Sequence, residues 1–426
     1  MVQIPDSLVP VNRGLRALVG LGPREKFGRN VTSQNAEYIV RHINELQSYL
    51  GKKRSWKRDF IHTIERWLSG SAGHTDIRDE LVALSAIHRG STAQTFFVAQ
   101  VTGALGHFSA SLAFEKLGVS RASKVQMGRS LLTRSLVELQ AAIHSGDAEQ
   151  ALDRSKAVAQ SLSSLATIPG SILEILRYVE AWVGSDIAPH SETQFEGPID
   201  RLWADATLGQ DFIVYGPGET SDDQDLISEN QLVVRIAGPG SFQWAGAADF
   251  AHGRADVVYM NPETLASIIE QGKQNVDILK CYPVICVKRG QSSLLPNSRR
   301  IDVGARLFLR GHPNMVPLIV LDLIRVPRSR IHVIGSDFFA SPVAYREDSR
   351  RVTPSGSRQT EQGSTGNAYD RCTLFASHNV FQNRRLISNL VLADRVSGDK
   401  RFVDACLISD EEYARRLDLF YGQNRI

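Results

Sequence analysis

The sequence predicts an α/β protein: a Rossmann-like, mainly parallel sheet with helices on both faces, preceded by an all-α helical region. Three observations predict it. Up to about position 184 the apolar residues recur at helical spacing. Beyond about 200 they gather in short runs of strand type, and helix-like segments lie between several of those runs. The implied organisation is a helical N-terminal domain over 1–184, a linker over 185–199 and a Rossmann-like domain over 200–426.

In the helical part, Ile39, Ile43, Leu46 and Leu50 form one stripe of a 3.6-residue period, and Gly51 stands where a helix stop is expected. Phe60, Ile64, Trp67 and Leu68 repeat the pattern before Gly70. Leu132, Leu136, Leu139 and Ile143 run into Ser145-Gly146-Asp147, and Ala151, Leu152, Val158, Leu162 and Leu165 follow before Pro169. Paired helices with short Gly/Asp turns read as a stack of α-hairpins, without the self-similarity of a repeat array. Lys52, Lys53, Arg54, Lys57 and Arg58 cluster around Trp56. That cluster is either a solvated helix start or a contact for an anionic membrane surface or polysaccharide. The N-terminal helices are accordingly a candidate contact for a peripheral membrane or protein partner.

The stretch from Gly184 to Ile199 is rich in Pro, Gly, Ser and Thr and lacks periodicity, as a linker does. The strand-type runs beyond it are Phe212–Tyr215, Leu232–Ile236, Val257–Tyr259, Tyr282–Val287 and Ile331–Ile334. Pro262–Gln271 and Val316–Arg325 are helix-like segments between them. Such alternation builds parallel sheets buried on both faces.

Composition narrows the function classes. Of 426 residues, 42% are hydrophobic and 22% charged, which is ordinary for globular chains. Lys+Arg 49 against Asp+Glu 46 gives +3, far from the basic footprint of a nucleic-acid binder, so no nucleic-acid partner is expected. The longest apolar run, Met315–Ile324, carries Asp322 and falls well short of the ~20 residues that span a bilayer. The N-terminus lacks a basic segment followed by a sustained apolar core, so no signal peptide is expected. A cytoplasmic location follows, with peripheral attachment at the inner membrane as its variant. Cys281, Cys286, Cys372 and Cys406 are too few for a disulfide framework and lack paired zinc spacing. Cys281 and Cys286 read as buried thiols. No metal site and no cofactor are expected.

In open α/β sheets, ligands bind beyond the carboxyl ends of the strands. The first strand ends in Tyr215-Gly216-Pro217-Gly218-Glu219-Thr220, a turn whose amides can hold a phosphate. It is neither a Walker loop nor a dinucleotide fingerprint, and a plain turn remains the alternative. Three more strand ends bring Arg235 with Gly238-Pro239-Gly240, Asn261-Pro262-Glu263, and Gly335-Ser336-Asp337. Four polar strand ends imply a polar cleft. Arg350–Asn367 is poor in apolar residues and reads as a lid or a disordered loop. His378 follows it and precedes an amphipathic helix carrying Leu386, Leu390 and Leu392. A histidine there is either a general base or a helix-capping, structural residue.

Read together, FIVYGPGET, LISENQLVVRIAG and ADFAHGRADVVYMNPETL resemble, in order and spacing, the long first motif of the sialyltransferase-like glycosyltransferases. GHPNMVPLIVLDLIRVPRSRIHVIGSDFF resembles their second motif, and HNVFQN from His378 the last. The resemblance covers Phe212 to Tyr421, about half of the chain, and rests on order and spacing more than on identities. It implies an inverting, metal-independent transfer from a cytidine-monophosphate-activated sugar, sialic-acid-like or a 3-deoxy-octulosonate, to a bacterial surface glycan or lipid-linked precursor. It also implies that Gly216, Pro217, Gly218 and Glu219 lie beside the nucleotide, with Arg235 at the motif arginine and Asn261 and Glu263 near base or ribose. Pro313 and Asn314 would open a helix toward the donor's phosphate or carboxylate, and His378 would be the base. The chain departs from the pattern at Ala237, at Asn314-Met315-Val316, at Asn383 in place of an acid, and at Tyr345, the nearest substitute for a missing histidine. Two alternatives stand beside this reading: another nucleotide-dependent phosphoryl or pyrophosphoryl transferase, and a non-catalytic scaffold that keeps the fold.

Overall fold

The computed structural model describes residues 55–422 apart from 69, 91, 125–130, 163–169, 185–197, 217–230, 238–254, 271, 281, 283, 289–294, 302–306, 308–312, 327–328 and 342–377. The stripe from Ile39 to Leu50, most of the linker, Leu165, the Arg350–Asn367 loop, Cys281 and Cys372 lie outside the described residues.

The chain first forms helices α1 (Ser55–Leu68), α2 (His74–Ile87), α3 (Thr92–Ala104), α4 (Phe108–Lys124), α5 (Leu131–Ser145), α6 (Ala148–Leu162) and α7 (Gly170–Val183). The apolar stripes fall inward as their spacing requires: Phe60, Ile64 and Trp67 on α1, Leu136, Leu139 and Ile143 on α5, Ala151, Val158 and Leu162 on α6 are all buried. Trp56 joins this interior, its ring edge-on to His88 at 4.0 Å, while Arg58 beside it is exposed.

From α8 (Pro198–Thr207) onward the elements alternate: β1 (Asp211–Tyr215), β2 (Gln231–Ala237), β3 (Val257–Met260), α9 (Pro262–Glu270), α10 (Lys273–Lys280), β4 (Ile285–Lys288), β5 (Ser298–Ile301), α11 (Met315–Leu323), β6 (Ile331–Ile334), α12 (Val380–Leu392), β7 (Val396–Gly398), α13 (Lys400–Leu407) and α14 (Asp410–Tyr421). The seven strands make one all-parallel sheet in the order β5-β4-β3-β2-β1-β6-β7. Four expected strands stand where their apolar runs place them, and β4 begins three residues into its run. β5 and β7 are the two edges. Ser-Arg-Arg-Ile and Val-Ser-Gly carry no apolar run, because an edge strand needs burial on fewer sides.

Alternate residues serve opposite faces of the sheet. Phe212 and Val214 of β1 join one large core cluster that runs from Phe108 on α4 through Trp182 on α7 to Leu386 on α12 and Tyr421. Ile213 and Tyr215 turn the other way, with Val233 and Ile334. Farther along that second face, α9 and α10 cover Val258, Met260, Ile285 and Val287. The helices that precede the linker therefore share a core with the sheet.

Two buried ionic networks fix this packing. On β5, Arg299 makes a bidentate pair with Asp322 of α11 at 2.5 and 3.0 Å, donates to Asp200 of α8 at 2.7 Å and lies over the Trp203 ring. Tyr259 of β3 donates to the same Asp322 at 2.8 Å. Burial alone would raise the Asp322 carboxyl, but Arg299 and Arg325 outweigh it and hold it below the ordinary range. Cys286 shares this region and is pushed up to about 12 by burial, which leaves it an inert thiol.

The second network joins the two halves of the sequence. Arg385 of α12 donates to Glu115 of α4 at 2.6 Å, to the His144 carbonyl of α5 at 3.0 Å and to Asp410 of α14 at 2.8 Å. His144 meets Glu115 at 3.1 Å, and Arg384 holds the other oxygen of Asp410. Glu115 is kept below its usual range because His144 and Arg385 together outweigh its burial.

Removing one partner of such a network leaves the others buried and uncompensated. Arg385→Met should cost about 3–5 kcal/mol in chemical denaturation. Adding Glu115→Gln to that variant should recover part of the loss, a coupling that a double-mutant cycle measures.

His107, fully buried between Trp67 and a stacked His74, has no hydrogen-bond partner for either ring nitrogen among the described residues. Burial, helped by His74 and Arg78, pushes it down to about 3 from 6.5. The unfolded chain therefore binds a proton there that the folded chain refuses. This contribution to stability is whole above about pH 6.5 and is lost as pH falls toward 3, at about 1.4 kcal/mol per unit. Denaturation at pH 7.5 and 5.0 should show His107→Phe losing about 2 kcal/mol less than the parent chain between those values.

Candidate site at the carboxyl edge of the sheet

The strand order reverses at β1, with β2 to β5 on one side and β6 and β7 on the other. Crevices at such a reversal are where open parallel sheets take ligands. Two groups of residues stand along the carboxyl edge.

The first group is at the reversal itself. The Gly216 amide donates to the Ile334 carbonyl at 2.7 Å, which carries the β1–β6 ladder one residue past β1. A Cβ on Gly216 would lie 2.8 Å from the Gly335 carbonyl carbon and 3.0 Å from Ser336 Cβ, so only glycine allows the two strand ends this approach. Gly335 turns left-handed (φ 68°) and gives its amide to Asp399 at 2.6 Å. Asp399 also caps α13 through the Phe402 amide at 2.8 Å. Phe338 and Phe339 follow with φ of 53° and 69°, a conformation that costs a non-glycine residue about 1–2 kcal/mol. The Asp337 carboxyl is raised by burial, although Ser341 and the Phe339 amide bond to it.

The second group gathers at the N-termini of α11 and α12. Asn383 of α12, fully buried, accepts the Asn314 amide at 2.9 Å and donates to the Asn379 carbonyl at 2.6 Å. Lys288, the last residue of β4, donates to the Pro313 carbonyl at 2.7 Å. Asn314 occupies the N-cap of α11 without capping it, and the first turn of that helix has no acidic residue. On α12, Asn379 caps the Gln382 amide and reaches the buried Glu115 at 2.9 Å. His378, half-buried, stands one residue before that cap.

The expected site residues thus fall unevenly. Pro313, Asn314 and the helix that follows His378 come together, and Gly216 meets Gly335 and Ser336. Lys288 ends β4 three strands from β1, about 14 Å along the edge. Asn261 follows β3, half-buried, and its carbonyl takes the first bond of the α9 turn from Leu265. Glu263 is in the first turn of α9, its side chain outside the described residues. Arg235 lies within β2, which continues to Ala237; it is buried, its guanidinium 4.2 Å over the Tyr215 ring. Pro217, Gly218, Glu219 and the Gly238-Pro239-Gly240 turn lie outside the described residues. Sequence reasoning missed Lys288 and Asp399. Lys288 ends an apolar run as the other polar strand ends do, whereas nothing marks Asp399 because β7 has no apolar run.

No protein-family model, no curated protein and no solved structure matches the chain. Among the described residues, no three His, Cys, Asp or Glu side chains are grouped to hold a metal ion, and no helix is long and apolar enough to cross a membrane.

Gly216→Ala tests the crowded reversal. Because backbone rather than a flexible side chain blocks the new methyl group, the variant should lose about 1–3 kcal/mol. Gly73→Ala, whose Cβ would meet only Asp76 among the described residues, at an ordinary 3.4 Å, should melt close to the parent temperature.

Proposed function

We propose that this chain is a Rossmann-like glycosyltransferase of the sialyltransferase-like kind, acting on a nucleotide-activated, acidic sugar. The observation that carries the reading is the Asn383–Asn314 bond, which sets the N-termini of α11 and α12 side by side at the carboxyl edge. Helix N-termini favour anions, and Lys288 adds a full positive charge beside one of them. The donor's phosphate or carboxylate fits that end of the edge. The nucleotide lies toward Gly216, across a span that an extended sugar nucleotide can cover.

The chemistry asks for little more. His378, at the threshold of α12, takes the proton of the acceptor hydroxyl as that oxygen attacks the anomeric carbon. The bond to the phosphate oxygen breaks on the opposite face, which inverts the centre, and the phosphate leaves as an anion. Hydrogen-bond donors along the carboxyl edge stabilise that charge without a metal. A bacterial surface glycan or lipid-linked precursor is the acceptor class that accompanies this reading, at a cytoplasmic or peripheral-membrane location.

Cytidine monophosphate should raise the melting temperature without magnesium, and more than the uridine, adenosine and guanosine monophosphates do. A ligand at 100 times its dissociation constant adds about 2.7 kcal/mol. In transfer assays His378→Ala should lower turnover at least ~100-fold with the fold intact. Full turnover in that variant would sink the assignment, and magnesium-dependent stabilisation by a nucleoside triphosphate would move it to phosphoryl transfer.

A further inference from the structure

The loop after β6 has hydrogen-bond donors left over, and the carboxylate oxygens beside it are already taken. Both Asp337 oxygens turn back into the loop, to the Phe339 amide at 2.9 Å and to the Ser341 hydroxyl. Both Asp399 oxygens are engaged, by Gly335 and Phe402. The Asp337 carbonyl accepts the Ala340 amide at 2.9 Å. From behind, Tyr413 of α14 donates to the Phe338 carbonyl and Tyr421 to the Ser341 carbonyl at 2.7 Å. Among the donors, Ser336 is left: half-buried, its amide and hydroxyl have no partner among the described residues, and its Cβ overhangs Gly216. A site that offers donors and has its carboxylates turned away fits an oxygen-rich anion rather than a cation or a sugar hydroxyl.

We propose that Gly335–Ser341 is a preformed phosphoryl-binding loop at the sheet's reversal, with Ser336 as the contact residue and Tyr413 and Tyr421 as positioning residues. The left-handed Phe338 and Phe339 persist because they are over-determined: their rings are buried and α14 grips the carbonyls of Phe338 and Ser341. The helix α14 is itself fixed from the far side of the sequence, where Asp418, between the two tyrosines, accepts the Phe108 and Ser109 amides at 2.6 and 3.2 Å. The helical half of the chain thereby holds the loop in its binding form. This deepens the glycosyltransferase reading and rests on it for the nucleotide alone: the donor's phosphate goes to Ser336 rather than to the start of α11.

The test is hydrogen exchange followed by mass spectrometry on the full chain, alone and with cytidine monophosphate, uridine monophosphate or inorganic phosphate. Cytidine monophosphate should slow exchange in the peptide spanning 335–341 by about tenfold or more. Ser336→Ala should weaken binding about tenfold at an unchanged melting temperature, as expected for one bond to a charged group. Tyr421→Phe should speed exchange of the same peptide without ligand and leave the strand peptides unchanged. Protection by inorganic phosphate but by neither nucleotide would keep the loop site and overturn the nucleotide reading. Protection confined to the starts of α11 and α12 would do the reverse. If none of the three compounds protects the loop, or if Ser336→Ala binds as the parent does, the proposal is wrong.

Discussion

Glu115 and Arg385 stand 270 residues apart in sequence and 2.6 Å apart in space, and the position of the carboxyl edge depends on their meeting. Neither charge can be buried alone. Each has to be answered by a partner of opposite sign with the remaining lone pairs and protons satisfied, and here the answer takes five side chains on four helices. Ionic contacts of this kind tolerate little displacement, so α4, α5, α12 and α14 are held in register. The consequence for the site is direct. Asn379, the cap of α12, is bonded to the same Glu115, so the start of α12 and His378 before it are placed by a charge on the N-terminal helices.

The second fixed point is Asp322, in the last turn of α11 and wholly buried. A run as apolar as Met315–Leu323 would otherwise be free to slide along the sheet, since hydrophobic burial is not directional. The bidentate bond from Arg299 and the bond from Tyr259 remove that freedom, because they tie the helix to β5 and β3 at one height. With α11 and α12 each pinned to a different part of the molecule, the Asn383–Asn314 bond joins two ends already in place. The geometry of these bonds sets where the two helices stand, whatever their net effect on stability.

How far this was legible in the sequence follows from what each element needs. Strands buried on both faces must be apolar along their length, and β1, β2, β3 and β6 announce themselves. Edge strands are under no such demand, and β5 and β7 stayed hidden behind Ser298, Arg299 and Arg300 and behind Ser397 and Gly398. Helical spacing gave α1, α5, α6, α9, α11 and α12, yet the same spacing cannot tell a helix that faces its own bundle from one that faces a sheet far along the chain. The candidate site was readable only as polar or small residues at strand ends, as at Gly216, Asn261 and Gly335. It was unreadable where the function of a residue is made by a distant partner: nothing near Lys288 points to Pro313, and nothing near Asp399 points to Gly335.

Asn383 shows why a departure from a motif need not be a loss. The resemblance to sialyltransferase-like enzymes calls for an acid at this position. The fold asks for a side chain that accepts from the Asn314 amide and, at the same time, donates to the Asn379 carbonyl. An ionised carboxylate has four acceptor sites and no donor, so it would satisfy the first demand and face the carbonyl with repulsion. The amide does both and is neutral. Neutrality matters more than the bond itself. A buried carboxylate at 383 would cancel the positive ends of α11 and α12 and the charge of Lys288 at the one place where the helices converge. With asparagine that potential is left standing, and the edge of the sheet stays suited to an anion.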